Sequence, residues 1–354
     1  MDAHYDNGSW VNRCGHEIDA PAGESTLMTS LDSVEAPLYR KDTAATQELA
    51  CVMVSYLTGD VLFDAIESVL GQSVAPRELV VVDNGNPEHV RARLDELARV
   101  TPELQVCRGQ GNVGFAAGSN LGAANTQSTH LLFLNPDCVL PADGLEKLWA
   151  EYAQLPPRSL LSPLLLNPDF TEQRGSRRAV LTPWRAAVEW LGLYHLAPSH
   201  PYFLRFNQSS EPLPLITHKV DVTSGAAMMM ARSLYNELRG FDEGYFLHVE
   251  DIDLCVTLLK RGGATYVAPS VRVVHQGASS TSPPLKVEWH KAKGFCRYFR
   301  KHFKGVYPKG FVSVINLLVW LRLVLRAPLL ALRRRGAQPS QTPIESVQPT
   351  DTSD

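Results

Sequence analysis

The sequence lacks several signals that would assign it to a common class of protein. Its six cysteines include no Cys-x-x-Cys pair, so we expect no structural zinc site and interpret the cysteines as small hydrophobes in a reducing compartment. The N-terminal residues MDAHYDNGSW have neither a basic start nor an apolar run, which argues against a signal peptide. A G-x-x-x-x-G-K-[ST] motif is also missing, so a P-loop nucleotide-binding fold has no support.

Acidic residues are absent from a long stretch near the C-terminus. Residues 289–335 contain twelve Lys or Arg and no Asp or Glu, although the whole chain has a formal net charge of −3. A basic block of this kind predicts an anionic partner, which is a membrane surface, a nucleic acid or a phosphorylated substrate. Because the block is rich in Leu, Val and Trp, we favour a membrane surface and expect no nucleic-acid partner.

The same stretch has too short an apolar run to predict a membrane-spanning helix. Residues 310–321 are uncharged, and Arg322 follows, whereas a spanning helix needs about 20 apolar residues. Arg322, Arg326 and Arg333 would share one face of a continuous helix, which predicts a basic amphipathic helix over 306–336 that lies in the membrane plane. Two alternatives are a helix that ends near Pro328 and a helix that packs on the rest of the protein.

The sequence does have a regular alternation of apolar strands and amphipathic helices. Residues 1–47 and 337–354 are polar and lack periodicity, which predicts two disordered tails. Between them, strands are predicted at 49–56, 77–85, 104–108 and 129–137, and helices at 59–72, 87–100, 112–126 and 142–153. This alternation indicates βαβ units and an α/β fold, Rossmann-like, with a mostly parallel sheet that helices flank on both faces.

The second half of the chain is less regular. We predict a long insertion rich in Pro, Arg and aromatic residues over 167–218. The other predicted elements are a strand at 159–166, a strand–turn–strand unit at 220–233, a helix at 250–263, short strands at 264–269 and 271–277, and a basic helix at 290–303.

Polar side chains follow three of the predicted strands, where ligands of such sheets bind. Ser55 and Tyr56 end the first strand, Asp83 ends the second, and Asn135 and Asp137 follow a third. Asp83 stands in an Asp-Asn-Gly sequence, which indicates either turn chemistry or a carboxylate that binds a nucleobase or ribose. Asn135 and Asp137 have the oxygen ligands that a hard divalent cation prefers, although a plain Asn-Pro-Asp turn is the alternative.

An acidic cluster opens the helix predicted at 250–263. Glu250, Asp251 and Asp253 follow the apolar segment YFLHV, and no Lys or Arg occurs in residues 241–255. Acidic residues in a first helical turn stabilise the helix by about 0.3–1 kcal/mol each, and that explanation suffices for Asp253. A hydrophobic lead-in that carries carboxylates into the fold also suits a general base, which must be fixed, ionised and close to its target.

Two further features permit a functional or a structural explanation. Gly114 and Gly118 at the predicted helix 112–126 allow either close packing on the sheet or open helix amides for a diphosphate. His275 ends an apolar strand and precedes a run of small residues. It is either a structural histidine or a ligand to phosphate or metal.

Seven segments, in this order, resemble the family-2 glycosyltransferases of the GT-A fold, and most of all the rhamnosyltransferase-like enzymes of bacterial surface polysaccharide synthesis. The resemblance covers about residues 49–305. The segments are VSY (54–56), VVVDNGN (80–86), GNVGFAAGSN (111–120), LLFLNPDCVL (131–140), SGAAMMMARS (224–233), GFDEGYFLHVEDIDLC (240–255) and VVHQGASS (273–280).

The resemblance implies roles for individual residues. Asp251 matches the catalytic base, with Glu250 beside it, and Asp137 and His275 would bind Mg²⁺ or Mn²⁺. The residues implied in binding the nucleotide-sugar donor are Ser55, Tyr56, Asp83, Asn112, Gly114, Asn120, Asn135 and Arg177. Many relatives have Asp in place of Asn135, so this chain has a single carboxylate there for the cation.

The resemblance also implies the reaction. The enzyme would transfer a sugar, by preference L-rhamnose from dTDP-rhamnose, with inversion to a hydroxyl of a lipid-linked or polysaccharide acceptor at the cytoplasmic face of the cell membrane. Basic residues in the insertion (Arg174, Arg177 and Arg178) would assist the leaving diphosphate. The alternatives are a galactofuranosyl, glucosyl or mannosyl donor, and a sugar-nucleotide-binding protein without turnover. The enzyme hypothesis requires Asp137 and Asp251 in one cleft, with Asp251 ionised and not sealed in a salt bridge.

Overall fold

The computed structural model describes residues 3–6, 9–12, 48–196, 200–277 and 282–336. Near the N-terminus these include an antiparallel pair of short strands, β1 (Ala3–Asp6) and β2 (Ser9–Asn12). The rest of the two predicted disordered tails, including 13–47 and 337–354, lies outside the described residues.

The first half has the predicted alternation of strands and helices. Its elements are β3 (Leu49–Ser55), α1 (Val61–Leu70), β4 (Glu78–Asp83), α2 (Glu88–Val100), β5 (Leu104–Cys107), α3 (Phe115–Ala124), β6 (His130–Leu134), β7 (Cys138–Val139) and α4 (Gly144–Tyr152). The two-residue strand β7 is too short to have been predicted by periodicity.

The second half contains more elements than the sequence predicts. They are β8 (Ser159–Leu166), β9 (Arg177–Arg178), α5 (Pro183–Leu191), β10 (His218–Val220), β11 (Val222–Thr223), β12 (Ala227–Ala231), α6 (Arg232–Leu238), α7 (Glu250–Lys260), β13 (Ala264–His275), α8 (Pro284–Phe303) and α9 (Phe311–Gly336). The two short strands predicted at 264–277 are one strand, β13, whose pairing with β8 shifts register between Ala268 and Arg272. The basic helix begins at Pro284, six residues earlier than predicted.

A nine-stranded sheet organises the molecule, with the order β10-β13-β8-β12-β6-β3-β4-β5 and β7 paired to the end of β13. Strands β3, β4, β5 and β6 are mutually parallel, and β8 and β13 are parallel to each other. Since β12 is antiparallel to both β6 and β8, those six strands all run in one direction. The mostly parallel α/β sheet is thus confirmed, and the carboxyl ends of its six parallel strands meet at one edge.

The strands are apolar on both faces because helices cover the sheet from both sides. Along β3, Ala50 and Val52 face one hydrophobic core, while Cys51 and Met53 face the other. This alternation follows from the two-residue period of a strand. The continuous apolar runs of the sequence therefore serve two cores rather than one.

The C-terminal helices form a layer on one of these cores. Ile315 and Val319 of α9 are buried there, so α9 does pack on the rest of the protein. The helix continues through Pro328 to Gly336, which means that the end predicted near Pro328 is wrong. Residues 311–328 have a mean hydropathy of 1.6 and are long and apolar enough to cross a membrane by length and composition.

Candidate active site

Polar side chains converge where β3 and β4 end. Ser55 lies opposite Asp83 in the parallel register, and Asn86 donates from its Nδ2 to the Ser55 Oγ at 2.9 Å and to the Asp83 Oδ1 at 3.0 Å. The backbone amides of Gly85 and Asn86 donate to the same Oδ1 at 3.0 and 2.8 Å. The Asx-turn thus fixes the Asp83 carboxylate at the edge of the sheet.

The second oxygen of Asp83 differs from the first. Its Oδ2 is buried and has no hydrogen-bond partner among the described residues, and the Arg108 Nε lies 3.8 Å away. Buried oxygens of this kind normally have a donor. The atom is therefore suited to accept a hydrogen bond from a ligand. Tyr56 follows on the same edge, and its ring lies beside Gly85.

The start of α3 is joined to the loop that precedes α7. Gly114 has φ +86°, and a Cβ there would overlap the backbone of Phe246. The Phe115 amide donates to the Phe246 carbonyl at 2.8 Å, and the Gly114 amide donates to the Asn112 Oδ1 at 3.1 Å. These two amides already have acceptors within the protein, so Gly114 serves a close backbone approach here.

Asp137 and His275 come together at the ends of β6 and β13. The His275 Nε2 lies 3.2 Å from the Asp137 Oδ1 and 3.2 Å from the Asn135 Nδ2. On its other side, the His275 Nδ1 lies 2.6 Å from the Gln173 Oε1. That oxygen can only accept, so the proton belongs on Nδ1 and the Nε2 lone pair faces Asp137 and Asn135. This is the tautomer in which Nε2 can bind a metal.

The atoms at this point fit a hard divalent cation. The Asp137 carboxylate, the His275 ring and the Cys138 thiol each have a ligand atom within 4.8 Å of the other two. Burial raises the pKa of the Cys138 thiol well above its usual range, and the Asp137 charge adds to this. The Cys138 thiol donates to the Ala226 carbonyl at 3.6 Å, and the oxygen and nitrogen ligands of Asp137 and His275 suit Mg²⁺ or Mn²⁺ better than a thiophilic metal.

Asp251 lies at the start of α7 and is paired, not free. Its Oδ2 lies 2.5 Å from Arg178 and accepts from the Gly225 amide at 3.0 Å, while its Oδ1 accepts from the Ile252 amide at 2.8 Å. Burial acts to raise the pKa of Asp251, but the Arg178 charge and hydrogen bonds lower it below its ordinary value. The expectation of an unpaired base does not hold, although Asp251 is ionised and its side chain stays 13% exposed.

The backbone just before the carboxylates is in an uncommon conformation. His248 and Val249 have φ of +64° and +78°, the left-handed region that a β-branched residue such as Val avoids. Each such residue costs on the order of 1–3 kcal/mol and persists only where the surroundings enforce it. This geometry turns the apolar lead-in sharply into α7 and so sets the direction of Glu250 and Asp251.

The neighbouring carboxyl group is in the opposite protonation state. Burial raises the pKa of Glu250 to about 8, and the charge of Asp251 adds to the increase. The Glu250 Oε2 is buried without a hydrogen-bond partner among the described residues. Two adjacent carboxyl groups with pKa values moved apart often divide the acid and base roles of a site. Here Asp251 is the ionised member and Glu250 the neutral one at neutral pH.

This difference predicts a pH-dependent effect of Glu250→Gln on stability. Since the folded-state pKa of Glu250 is raised to about 8 from 4.5, its contribution to stability is fully present below pH 4.5 and is lost as the pH rises to 8. Glutamine cannot ionise, so the variant should match the wild type at pH 4.5 and exceed it at pH 8 by more than about 1.4 kcal/mol, one pKa unit. Urea denaturation at both pH values measures the difference. Equal stability at pH 8 would show that Glu250 is ionised in the fold.

A short turn connects Asp251 to the metal-ligand cluster. The Gly225 amide binds Asp251, and a Cβ on Gly225 would lie 3.1 Å from the Asp251 Cβ, so a side chain does not fit without a shift. The next residue, Ala226, accepts from the Asn135 amide at 2.8 Å. Asp251 and Asn135 therefore bind consecutive residues of the segment that leads into β12, and a common cleft for Asp251 and Asp137 stays a prediction.

Two residues expected to bind the donor have other partners in the structure. Asn120 donates to the Phe241 carbonyl and to the Glu243 carboxylate, both at 2.9 Å, which fixes the loop before α7. Arg177 is buried in a bidentate pair with Glu172 at 2.8 Å. Both side chains are thus held by other residues of the protein, and their contact with the donor stays a prediction.

The sequence did not predict the contacts that three residues make with Asp251 and His275. Arg178, not Arg177, reaches Asp251, because successive residues of the short strand β9 point to opposite sides. Gln173 binds His275 and Gly225 binds Asp251. The only signal for Arg178 was its place in a group of three arginines, and the only signal for Gly225 was its place in the segment SGAAMMMARS (224–233). Gln173 had none.

Comparison with known proteins agrees with this geometry. The family described as glycosyl transferase family 2 matches residues 50–238, more than half of the chain. An N-acetylglucosaminyl-diphospho-decaprenol L-rhamnosyltransferase of Mycobacterium tuberculosis is 26% identical over 265 residues, covering 67% of this chain and 78% of the relative. Rhamnosyltransferase WbbL of Escherichia coli is 26% identical over 174 residues, covering 47% of this chain and 61% of the relative.

A solved structure shares the fold. The crystal structure of GalNAc-T7 with UDP, GalNAc and Mn²⁺ superposes with a TM-score of 0.53 at 16% identity, covering 76% of this chain and 53% of that one. The sheet and its neighbour thus confirm the GT-A-like α/β fold. The protein is a glycosyltransferase similar to rhamnosyltransferases, and it belongs to glycosyl transferase family 2.

Proposed function

We propose that the protein transfers L-rhamnose, with inversion, from a nucleotide-linked donor to a hydroxyl of a lipid-linked glycan during cell-surface glycan synthesis. The observation that carries this proposal is the ionised Asp251, fixed beside the turn that leads to Asp137 and His275. The preference for rhamnose rests on two relatives whose names state that sugar. A glucosyl, mannosyl or galactofuranosyl donor is the second candidate, because another relative is a hexosyltransferase of Haloferax volcanii at 23% identity.

The donor would lie along the edge formed by β3, β4 and β6. The buried Oδ2 of Asp83 lacks a hydrogen-bond donor among the described residues, which suits an imide N–H of a pyrimidine base. The Tyr56 ring lies over the same turn and can stack on a base. Asn112 and Asn135 would contact the sugar and the diphosphate, although in the structure Asn112 accepts from the Gly114 amide and Asn135 lies 3.2 Å from His275.

The chemistry would be a single displacement. The acceptor hydroxyl attacks the anomeric carbon from the side opposite the nucleoside diphosphate, Asp251 takes the hydroxyl proton, and the bond from the anomeric carbon to the diphosphate oxygen breaks. A divalent cation at Asp137 and His275 would supply positive charge for the leaving diphosphate. Arg178, already charged and 10% exposed, adds a second cation close to Asp251.

A panel of nucleotide sugars tests the proposal. The purified protein is incubated with dTDP-rhamnose, UDP-glucose, GDP-mannose and UDP-galactofuranose, and protection against thermal unfolding is measured, because a ligand of the native state raises stability. Donors that protect are then assayed for transfer to a lipid-linked acceptor. Protection without transfer or donor hydrolysis would favour a sugar-nucleotide-binding protein without turnover.

We predict that cation binding depends on Asp137 and on the Gln173–His275 hydrogen bond. Asp137→Asn removes the carboxylate. Gln173→Leu removes the hydrogen bond that fixes the tautomer of His275, and the loss of such a bond typically lowers metal affinity by about 10–100-fold. Mn²⁺ titration followed by electron paramagnetic resonance gives the affinities directly, and Gln127→Leu at an exposed position is the matched control. Unchanged Mn²⁺ affinity in both variants would place the cation elsewhere.

We also propose that α9 attaches the enzyme to the inner face of the cytoplasmic membrane. On the side away from the buried Ile315 and Val319, the helix exposes a continuous apolar strip formed by Val314, Leu317, Leu321, Val324 and Leu325. Arg322 lies over the Trp190 ring and Arg326 lies 3.6 Å from Glu288, so these two arginines contact the domain and the exposed strip itself is apolar. An exposed apolar strip on a helix packed along the domain favours a helix in the membrane plane.

Charge introduced into this strip should release the protein from lipid. The triple variant Leu317→Asp, Leu321→Asp and Leu325→Asp removes three side chains that are 67%, 48% and 68% exposed, so the fold should persist while vesicle binding falls at least about tenfold. Flotation with anionic vesicles measures it. Leu215→Asp with Ile216→Asp, at positions 92% and 76% exposed, is the control. Binding that survives both the triple substitution and alkaline extraction would indicate a spanning helix instead.

A further inference from the structure

A cavity of about 390 Å³ is lined by none of the residues discussed above as ligands of donor or cation. One wall is the loop before α7, and the other is the first half of α8. Its lining residues are Glu243, Gly244, Tyr245, Phe246, Trp289, His290, Lys293 and Gly294.

The walls combine aromatic surface with polar groups. The Phe246 and His290 rings are stacked at 4.2 Å, and Trp289 is 43% exposed. Glu243 is fixed by Asn120 at 2.9 Å. Aromatic faces next to a fixed carboxylate suit the ring and hydroxyls of a saccharide.

Two lysines of α8, Lys286 and Lys293, add positive charge on the side of the helix that faces the cavity. Lys293 lines the cavity, and Lys286 lies one turn before His290 on α8. Among the described residues neither lysine forms an ion pair, and Lys293 contacts the Trp289 ring at 5.3 Å. Residues 286, 290 and 293 share one face of α8. This face therefore offers two cations to an anionic ligand.

The loop that lines the cavity continues to Asp251, and the helix that lines it contacts α9. Four residues lie between Phe246 and Asp251, and the five Cα–Cα steps span at most about 17 Å. Arg326 lies 3.6 Å from Glu288, so the end of α9 that exposes Val324 and Leu325 is beside the first turns of α8. A ligand that is lipid at one end, phosphorylated in the middle and saccharide at the other would follow this order.

We infer that the cavity binds the phosphorylated end of the acceptor, a glycosyl phosphate or diphosphate, with Lys286 and Lys293 at the phosphate and Trp289 at the sugar. The inference rests on the proposed function for the identity of the acceptor. Two kinds of ligand have this anionic saccharide in common: a soluble sugar phosphate and a lipid-linked sugar diphosphate. The apolar strip of α9 favours the lipid-linked form.

The test combines Lys286→Gln with Lys293→Gln in the full-length chain, with Trp289→Ala as a second variant. Lys219→Gln, at an exposed position on the distant edge strand β10, is the control. The probes are N-acetylglucosamine 1-phosphate, the same sugar as a polyprenyl diphosphate in micelles, and dTDP. We expect the double variant to raise the KM for the lipid-linked acceptor and the Kd for the soluble probe at least about tenfold, with the Kd for dTDP unchanged.

The outcomes separate this inference from the proposed function. If the acceptor KM and the probe Kd stay at wild-type values, the inference is wrong. If dTDP binding weakens equally, the cavity belongs to the donor and the inference is also wrong. If the wild type transfers no sugar but its probe binding is lost in the double variant, the proposed function fails while the cavity assignment stands.

Discussion

Replacing Asp251 with Asn should lower the rate of transfer at least about 10²-fold while leaving donor binding intact. A positioned general base contributes about 10²–10⁴-fold to such a reaction, and an amide cannot accept the proton. The Gly225 and Ile252 amides donate to different oxygens of Asp251, so Asn can accept only one of them and also leaves Arg178 without its charged partner. The variant should therefore be less stable than the wild type, and its rate is measured at a temperature at which it is folded. Single-turnover transfer gives the rate, and thermal protection by the donor gives the binding.

The neighbouring Glu250 provides the matched control for this prediction. Because Glu250 is neutral at neutral pH, Glu250→Gln preserves the charge state of the wild type and should retain most of the activity. A large loss of activity in Glu250→Gln together with near-normal transfer by Asp251→Asn would show that Glu250, not Asp251, is the base. Similar losses in both would show that the pair acts as a unit.

The fold was predictable from the sequence wherever an element is long enough to show its period. The strands that became β3, β4 and β6 are five to seven residues long and end in polar residues, so their common edge could be located in advance. Strands β7, β9 and β11 have two residues each, and a two-residue strand has no period. They form because β13 and the insertion supply partners from distant parts of the chain.

The candidate site was predictable to the same extent. Asp137 and His275 stand at the ends of strands, and the sheet brings them within 3.2 Å of each other, whereas Asp251 stands in the first turn of α7. The sequence could not identify Arg178, since the choice among three neighbouring arginines depends on the pairing of β9 with β11. The ion pair between Arg178 and Asp251 therefore depends on tertiary structure, and it lowers the pKa of Asp251.

The second large effect is expected from Arg178→Gln. The Arg178–Asp251 pair is 10% and 13% exposed, and removal of one partner from a buried pair destabilises a protein by about 3–5 kcal/mol. The loss of stability should be largest near neutral pH. Asp251 has a lowered pKa, so the stability it contributes is present above the unfolded pKa of 3.8 and is lost as the pH falls through the folded value. Urea denaturation from pH 3 to 7 follows this dependence.

The same substitution tests whether Arg178 positions the base or only stabilises the fold. Without the guanidinium the pKa of Asp251 should rise, and the acidic limb of kcat/KM should move to higher pH, as general-base catalysis requires. Arg178→Lys, which keeps the charge, should restore part of that shift, whereas Arg174→Gln at a 68% exposed position should leave the limb in place. A loss of stability without any movement of the limb would mean that Arg178 stabilises the insertion and has no influence on proton transfer. A limb that moves to lower pH would mean that Asp251 is not the titrating base.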